Sequence, residues 1–249
     1  MKIELRQIPL LSPSEIGELS SNLEAIHTKT LRTIEYLNNT LQAKKLEIAN
    51  RWKSTNIGAA DKARLAQQET LVVVGKIKDA ARDELDGFIK EAGPAYWSLM
   101  EQRAFYDSPV KVLTRAGLGT DQRTAYLHQL AHAGSVELGH LAQVAVSTRN
   151  EILAAAVLSK LDSMPAKDRP VSAQQLASAM DLPSFNKVAA YMKIGENRLQ
   201  GIVVAIRTWN SGRSNPINTV SLALRERQID RSVLEADDDV EVDNDYEDA

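Results

Sequence analysis

From residue 13 to about residue 53, apolar side chains recur in steps of three and four: Ile16, Leu19, Leu23, Ile26, Ile34, Leu37, Leu41 and Ile48. That spacing keeps them on one face of a helix. Thr30 stands where the stripe should continue, and the phase shifts there as at a coiled-coil stutter. The segment opens on "SPSE": Ser12 suits the cap, Pro13 the first helical position, and Glu15 completes a capping box. A second long helix is expected over about 60–91, with Leu65, Leu71, Val72, Ile77, Leu85, Phe88 and Ile89 on its apolar side. "TNIGAAD" separates the two, so they form an antiparallel hairpin. Gly93 and Pro94 read as a stop and restart, with a shorter helix over about 95–105. Such a narrow stripe serves either a core-facing helix of a bundle or an oligomer seam. Ile16, Leu19, Leu23, Ile26, Ile34, Leu37 and Leu41 are the candidate seam.

Beyond residue 106 the periodic segments shorten. Pro109 follows a capping Asp107 or Ser108, and Gly117 and Gly119 end that helix. Thr120 or Asp121 caps the next, Ser135 another, and "NEILAAAVLSKLDSM" supplies one more before Pro165. Ser172 caps a helix over about 173–181, and Pro183 marks a turn into a helix over about 184–199. "GIVVAIRTW", 201–209, is apolar and β-branched and reads as strand or helix. "TVSLALRER", 219–227, alternates at Val220, Leu222 and Leu224, and reads as a short strand or a final helix.

The expected architecture is therefore all-α. A long helical hairpin over 12–104 follows an N-terminal extension, 1–11, in which Ile3 and Leu5 give a weak strand signal. A compact multi-helix domain covers 107–234, with minor strand pairing near 201–224. Composition agrees with this picture. Hydrophobic residues are 43% but aromatics only 5%, and Gly and Pro number 12 and 8. That mix suits packed helices better than sheets.

Charge adds one feature. Residues 235–249 hold nine acidic side chains and no basic ones; residues 1–234 carry 30 basic against 24 acidic, a balance of +6. Residues 183–234 hold eight Lys or Arg against three acids. A basic segment thus precedes an acidic tail, which self-repulsion and lack of apolar residues should leave disordered.

The stretch "RPVSAQQLASAMDLPSFNKVAAYMK", 169–193, has the rhythm of a helix-turn-helix. Ala177 is the small residue, and Met180, Leu182 and Val188 are the anchors. Asp181 occupies the turn where Gly is favoured, and the spacing from Ala177 to Val188 is about one residue longer than the usual pattern. For nucleic acid, the candidate contacts are Asn186, Lys187, Lys193, Arg198, Arg207 and Arg213. The plainer reading is two helices packed together.

Catalytic chemistry finds no constellation. There is no cysteine, which removes thiol catalysis, thiolate metal sites and disulfides. "HQLAH" places His128 and His132 four apart but without the intervening Glu of a zinc protease motif. "GLGTDQR" lacks a third glycine in register and a preceding strand, and neither a phosphate-binding loop nor a nucleophile elbow occurs. No catalytic residue, cofactor, metal or small-molecule substrate is indicated. No signal peptide or apolar run of membrane-spanning length is visible, so a cytoplasmic or virion setting is expected.

"YDSPVKVLTRAGLG" and "LAAAVLSKLDSMP", inside an Ala-rich, Cys-free helical chain, resemble helical accessory proteins of tailed bacteriophages, those of the head, the head–tail junction or the ejected core. The resemblance covers residues 100–165 and carries no functional residue across. It implies a structural or assembly role in many copies. Two functions follow as expectations: a non-enzymatic assembly protein working through helix–helix oligomerisation, with itself or a helical partner, or a nucleic-acid-binding protein whose acidic tail is autoinhibitory.

Overall fold

The computed structural model describes residues 8–213, 215–229 and 232–235. The strand signal at Ile3 and Leu5, the basic Arg231 and the acidic tail beyond Glu235 lie outside the described residues. The fold is all-α: α1 Pro13–Lys53, α2 Ala59–Gln102, α3 Pro109–Arg115, α4 Asp121–Gln129, α5 Ser135–Ser147, α6 Glu151–Asp162, α7 Ala173–Ala179, α8 Pro183–Ser211, α9 Pro216–Arg227 and α10 Ser232–Glu235, with one 3₁₀ turn at Ala166–Asp168. None of the described residues forms a strand, and none of their helices is long and apolar enough to cross a membrane.

The chain divides into two compact units. The first contains residues 8–16, 100–192 and 232–235 of those described. Its centre is α6, against which α3, α4, α5 and α7 pack. The reason is local: Leu153, Ala154, Ala155, Ala156, Val157, Leu158 and Leu161 are all buried. A helix apolar on every side belongs inside, and three consecutive alanines let neighbouring helices approach closely. Caps set its neighbours. Ser108 accepts from Lys111 N ahead of Pro109, Thr120 from Arg123 N, and Asn150 from Leu153 N. Ser172 and Gln175 form a full capping box on α7. Arg123 is buried; its guanidinium donates to Thr114 O at 2.6 Å, Ala116 O at 2.9 Å and Ser159 Oγ at 3.1 Å. It thereby satisfies carbonyls at the end of α3 and ties them to α6.

In the same unit, residues 9–11, just ahead of α1, are tied down rather than loose. Gln102 is buried, accepts from Leu11 N at 3.0 Å and donates to Pro9 O at 2.9 Å, while Tyr106 Oη donates to Leu11 O at 3.0 Å. Ser12 and Glu15 bond reciprocally at the start of α1.

The second unit holds residues 17–99 and the described part of 193–229: most of the α1–α2 hairpin, the later turns of α8, and α9. The sequence spacing places 193–229 with the compact domain of 107–234; the contacts group them with the long helices instead. At the hairpin's closed end Trp52 Nε1 donates to Glu69 Oε2 at 2.8 Å, and Arg51 pairs with the same carboxylate. Those hydrogen bonds, Arg51's first, hold the Glu69 carboxyl below its ordinary range.

Four local expectations change. Gly93 and Pro94 do not break α2, because Leu85, Phe88, Ala92, Ala95 and Leu99 make one continuous buried face across them. The described residues of 201–224 form no strand pair. Ile194, Ile202, Ile206 and Trp209 continue a buried helical face, so α8 runs on to Ser211 despite its β-branched residues. Gly134, not Ser135, caps α5, and the Ser135 hydroxyl donates to Asp168 O. His132 lies beyond the end of α4, so it does not share a helix face with His128.

Candidate functional site

The α1 stripe is covered within the chain over most of its length. Ile16, Leu23, Ile26 and Leu41 are buried, and Leu19, Ile34 and Leu37 are half-buried. Thr30 is buried too, its hydroxyl donating to Ile26 O at 2.8 Å, which removes the polar cost of the break in the stripe. The α8 backbone presses on the α1–α2 pair at Gly195, where an added Cβ would collide with Leu99 Cδ2 and lie 3.1 Å from Leu23 Cδ1. The candidate seam residues nearest the open end of the hairpin thus already have partners.

The rest of the hairpin differs. No residue from Ala59 to Ala80 is buried. Leu71 and Val72 are 66% and 56% exposed, and on α1 Tyr36 and Leu46 are 70% and 63% exposed. On α9, Ile217, Val220 and Leu224 share one helix face and are all exposed, while no α9 residue is buried. The alternation of Val220, Leu222 and Leu224 conceals this i, i+3, i+7 stripe; adding Ile217 and counting by helical steps reveals it.

The candidate nucleic-acid residues fall in both units. Asn186 and Lys187 are half-buried on the first turns of α8, and Asn186 Nδ2 donates to Asp181 Oδ1 at 2.9 Å. Asp181 has φ of 44°, the left-handed turn conformation that Gly favours and Asp tolerates. Ala177, Met180, Leu182 and Val188 are buried, as anchors of a packed helix pair must be. Lys193, Arg198, Arg207 and Arg213 belong to the other unit. Lys193, Arg207 and Arg213 are exposed. Arg198 is not: its side chain is 11% exposed, bidentate to Glu226 at 2.8 and 3.0 Å, and bonded to Glu24 at 3.0 Å. Asn197 Nδ2 adds a bond to Glu226 Oε2 at 2.6 Å. Arg198 therefore ties α1, α8 and α9 together and is occupied.

Next to this network, α1, α2, α8 and α9 enclose an open cavity of about 710 Å³. Its apolar wall includes Ile34, Leu41, Val74, Val204 and Leu222, and His27, Lys45, Lys78 and Trp209 also face it. His27 approaches the α8 backbone at Gly201, where a Cβ would lie 2.6 Å from its Nε2. Burial first, then the charge of Arg198, lowers the His27 pKa; Glu24 and Glu226 oppose this. Lys78 Nζ donates to Asn210 O at 2.8 Å and stands 5.7 Å from the Trp209 ring centre. Sequence reading passes over this cavity because its residues come from four separated segments with no common spacing. Among the described residues no three His, Cys, Asp or Glu side chains gather as a metal site would need.

No family model matches the chain, and no curated protein or solved structure matches it either.

Proposed function

We propose that the chain is a non-enzymatic assembly protein that associates with further copies of itself through its long helices, as a component of a tailed-phage virion. The carrying observation is the under-packed part of the hairpin. Over residues 59–80 α2 has no buried residue, the facing part of α1 buries only Leu41 and Ile48, and Leu71, Val72, Tyr36 and Leu46 stand in solvent. Two helices alone bury little apolar surface, and helices gain most of their stability from packing an apolar face. Further helices from a second copy supply that face. The interface moves accordingly from the Ile16–Leu41 stripe, largely covered within the chain, to the exposed Tyr36, Leu46, Leu71 and Val72. The virion setting rests on the sequence resemblance.

The test is paired substitution. Leu71→Glu with Val72→Glu should reduce the solution mass to that of a single chain, while helicity stays unchanged. An unchanged assembly would remove residues 71 and 72 from the interface. Leu23→Glu is a poor probe, because Leu23 is buried within the chain and its loss unfolds the unit. Nucleic-acid binding has less support: Arg198 is bonded to two carboxylates, Asn186 to Asp181, and Lys187 also has a partner, so at least three of the six candidate contacts are engaged.

A further inference from the structure

We propose that the cavity between α1, α2, α8 and α9 binds an organic anion with an apolar body, of the fatty-carboxylate type. The composition of the wall is the first reason. Aliphatic side chains from all four helices line it, together with Trp209, and its volume of about 710 Å³ lies in the range of small-molecule sites. Such sites combine apolar walls with a few polar groups that fix orientation. Here those groups have one sign. Lys45 and Lys78 line the cavity and no carboxylate does. Lys45 is exposed and has no ion-pair partner among the described residues. A ligand with an anionic head and an apolar tail complements this lining; a cation or a neutral sugar does not.

The position of Lys78 adds to this. Its ammonium stands 5.7 Å from the centre of the Trp209 ring, which lines the cavity, so a carboxylate beside Lys78 meets its charge at the Trp209 end. At the other end, His27 closes the wall, with the Arg198–Glu24–Glu226 network beside it and outside the lining. Arg198 already has two carboxylates there, so the anionic head belongs at the lysine end and the tail along Ile34, Leu41 and Val204.

The site is internal to one chain and does not depend on self-association, so its test separates from that of the assembly reading. Dodecanoate and dodecan-1-ol, each below its aggregation concentration, are titrated calorimetrically into the full chain. Mass and circular dichroism are recorded on the same samples. The expected result is saturable binding of one dodecanoate per chain. Lys45→Gln weakens dodecanoate about three- to tenfold, as one accessible charge pair should, and leaves dodecan-1-ol unchanged. Ala205→Phe fills the cavity and abolishes binding of both. Leu222→Trp, on the half-exposed side of α9, does the same if Ala205→Phe fails to fold. Absence of saturable dodecanoate binding, or binding that survives both cavity-filling variants, overturns the proposal.

Discussion

Gly201 brings the α8 backbone so close to His27 that a Cβ at residue 201 would lie 2.6 Å from the imidazole Nε2. His27 is half-buried there, beside the Arg198 bridge, so the ring has little freedom to retreat. Ordinarily, replacing a helical Gly by Ala stabilises by about 1 kcal/mol. At Gly201 overpacking should reverse the sign, and Gly201→Ala is expected to destabilise the protein by about 1–3 kcal/mol. Gly87 on α2 has nothing within 4 Å of an added Cβ. Gly87→Ala should therefore stabilise by about 0.5–1 kcal/mol. Urea unfolding of the two variants, side by side, checks the contrast.

His27 also predicts a pH response. Its folded pKa lies below the ordinary value of 6.5, through burial and then through Arg198. As pH falls through that ordinary value, the unfolded chain takes up a proton that the folded chain refuses. The contribution to stability is full above about pH 6.5 and is lost as pH falls toward the folded pKa. Carboxylates held below their ordinary range, such as Glu15 and Glu69, lose their share only at lower pH. Between pH 7.5 and 5.5 the urea midpoint should fall, and it should fall less in His27→Gln. Equal slopes would show that His27 is not the sensor.

Arg123 predicts a cost in the other unit. Arg123→Met leaves Thr114 O and Ala116 O, in half-buried residues, without their side-chain donor. The expected loss is about 1–3 kcal/mol per orphaned group, reduced where water can enter. Arg123→Lys should rescue only part, because an ammonium lacks the planar fork that reaches two carbonyls and Ser159 together. Thermal unfolding distinguishes the two variants from the parent.

Glu226 predicts a local effect. α9 buries no residue, and Glu226 joins it to Arg198 and Asn197. Glu226→Ala should raise amide exchange over residues 216–227 severalfold while leaving the unit-1 core around α6 unaffected. Uniform acceleration across the chain would mean that the Arg198 bridge supports more than α9.

Much of this architecture is legible in the sequence, because it rests on local signals. The Ser12–Glu15 box, the Ser108–Pro109 start and the Ser172–Gln175 box all set helix ends by hydrogen bonds between near neighbours. Signals fail where tertiary packing overrides them. Pro94 reads as a break, yet the face from Leu85 to Leu99 carries α2 through it. The β-branched run from Ile202 to Ile206 reads as either strand or helix, and only its buried positions, which fall at helical spacing, decide for helix. The α1 stripe reads equally as seam or core, since only Gly195 and Leu99, distant in sequence, show what covers Leu23. The cavity has almost no sequence signal: four segments meet there, and only Gly201 hints at close approach.

The most direct measurement is the solution mass of the full chain by sedimentation equilibrium across a concentration series. A single chain is 27.4 kDa. Self-association through the exposed apolar residues of 36–80 predicts a mass of two or more chains that falls on dilution. A constant 27.4 kDa at every concentration would contradict the central claim.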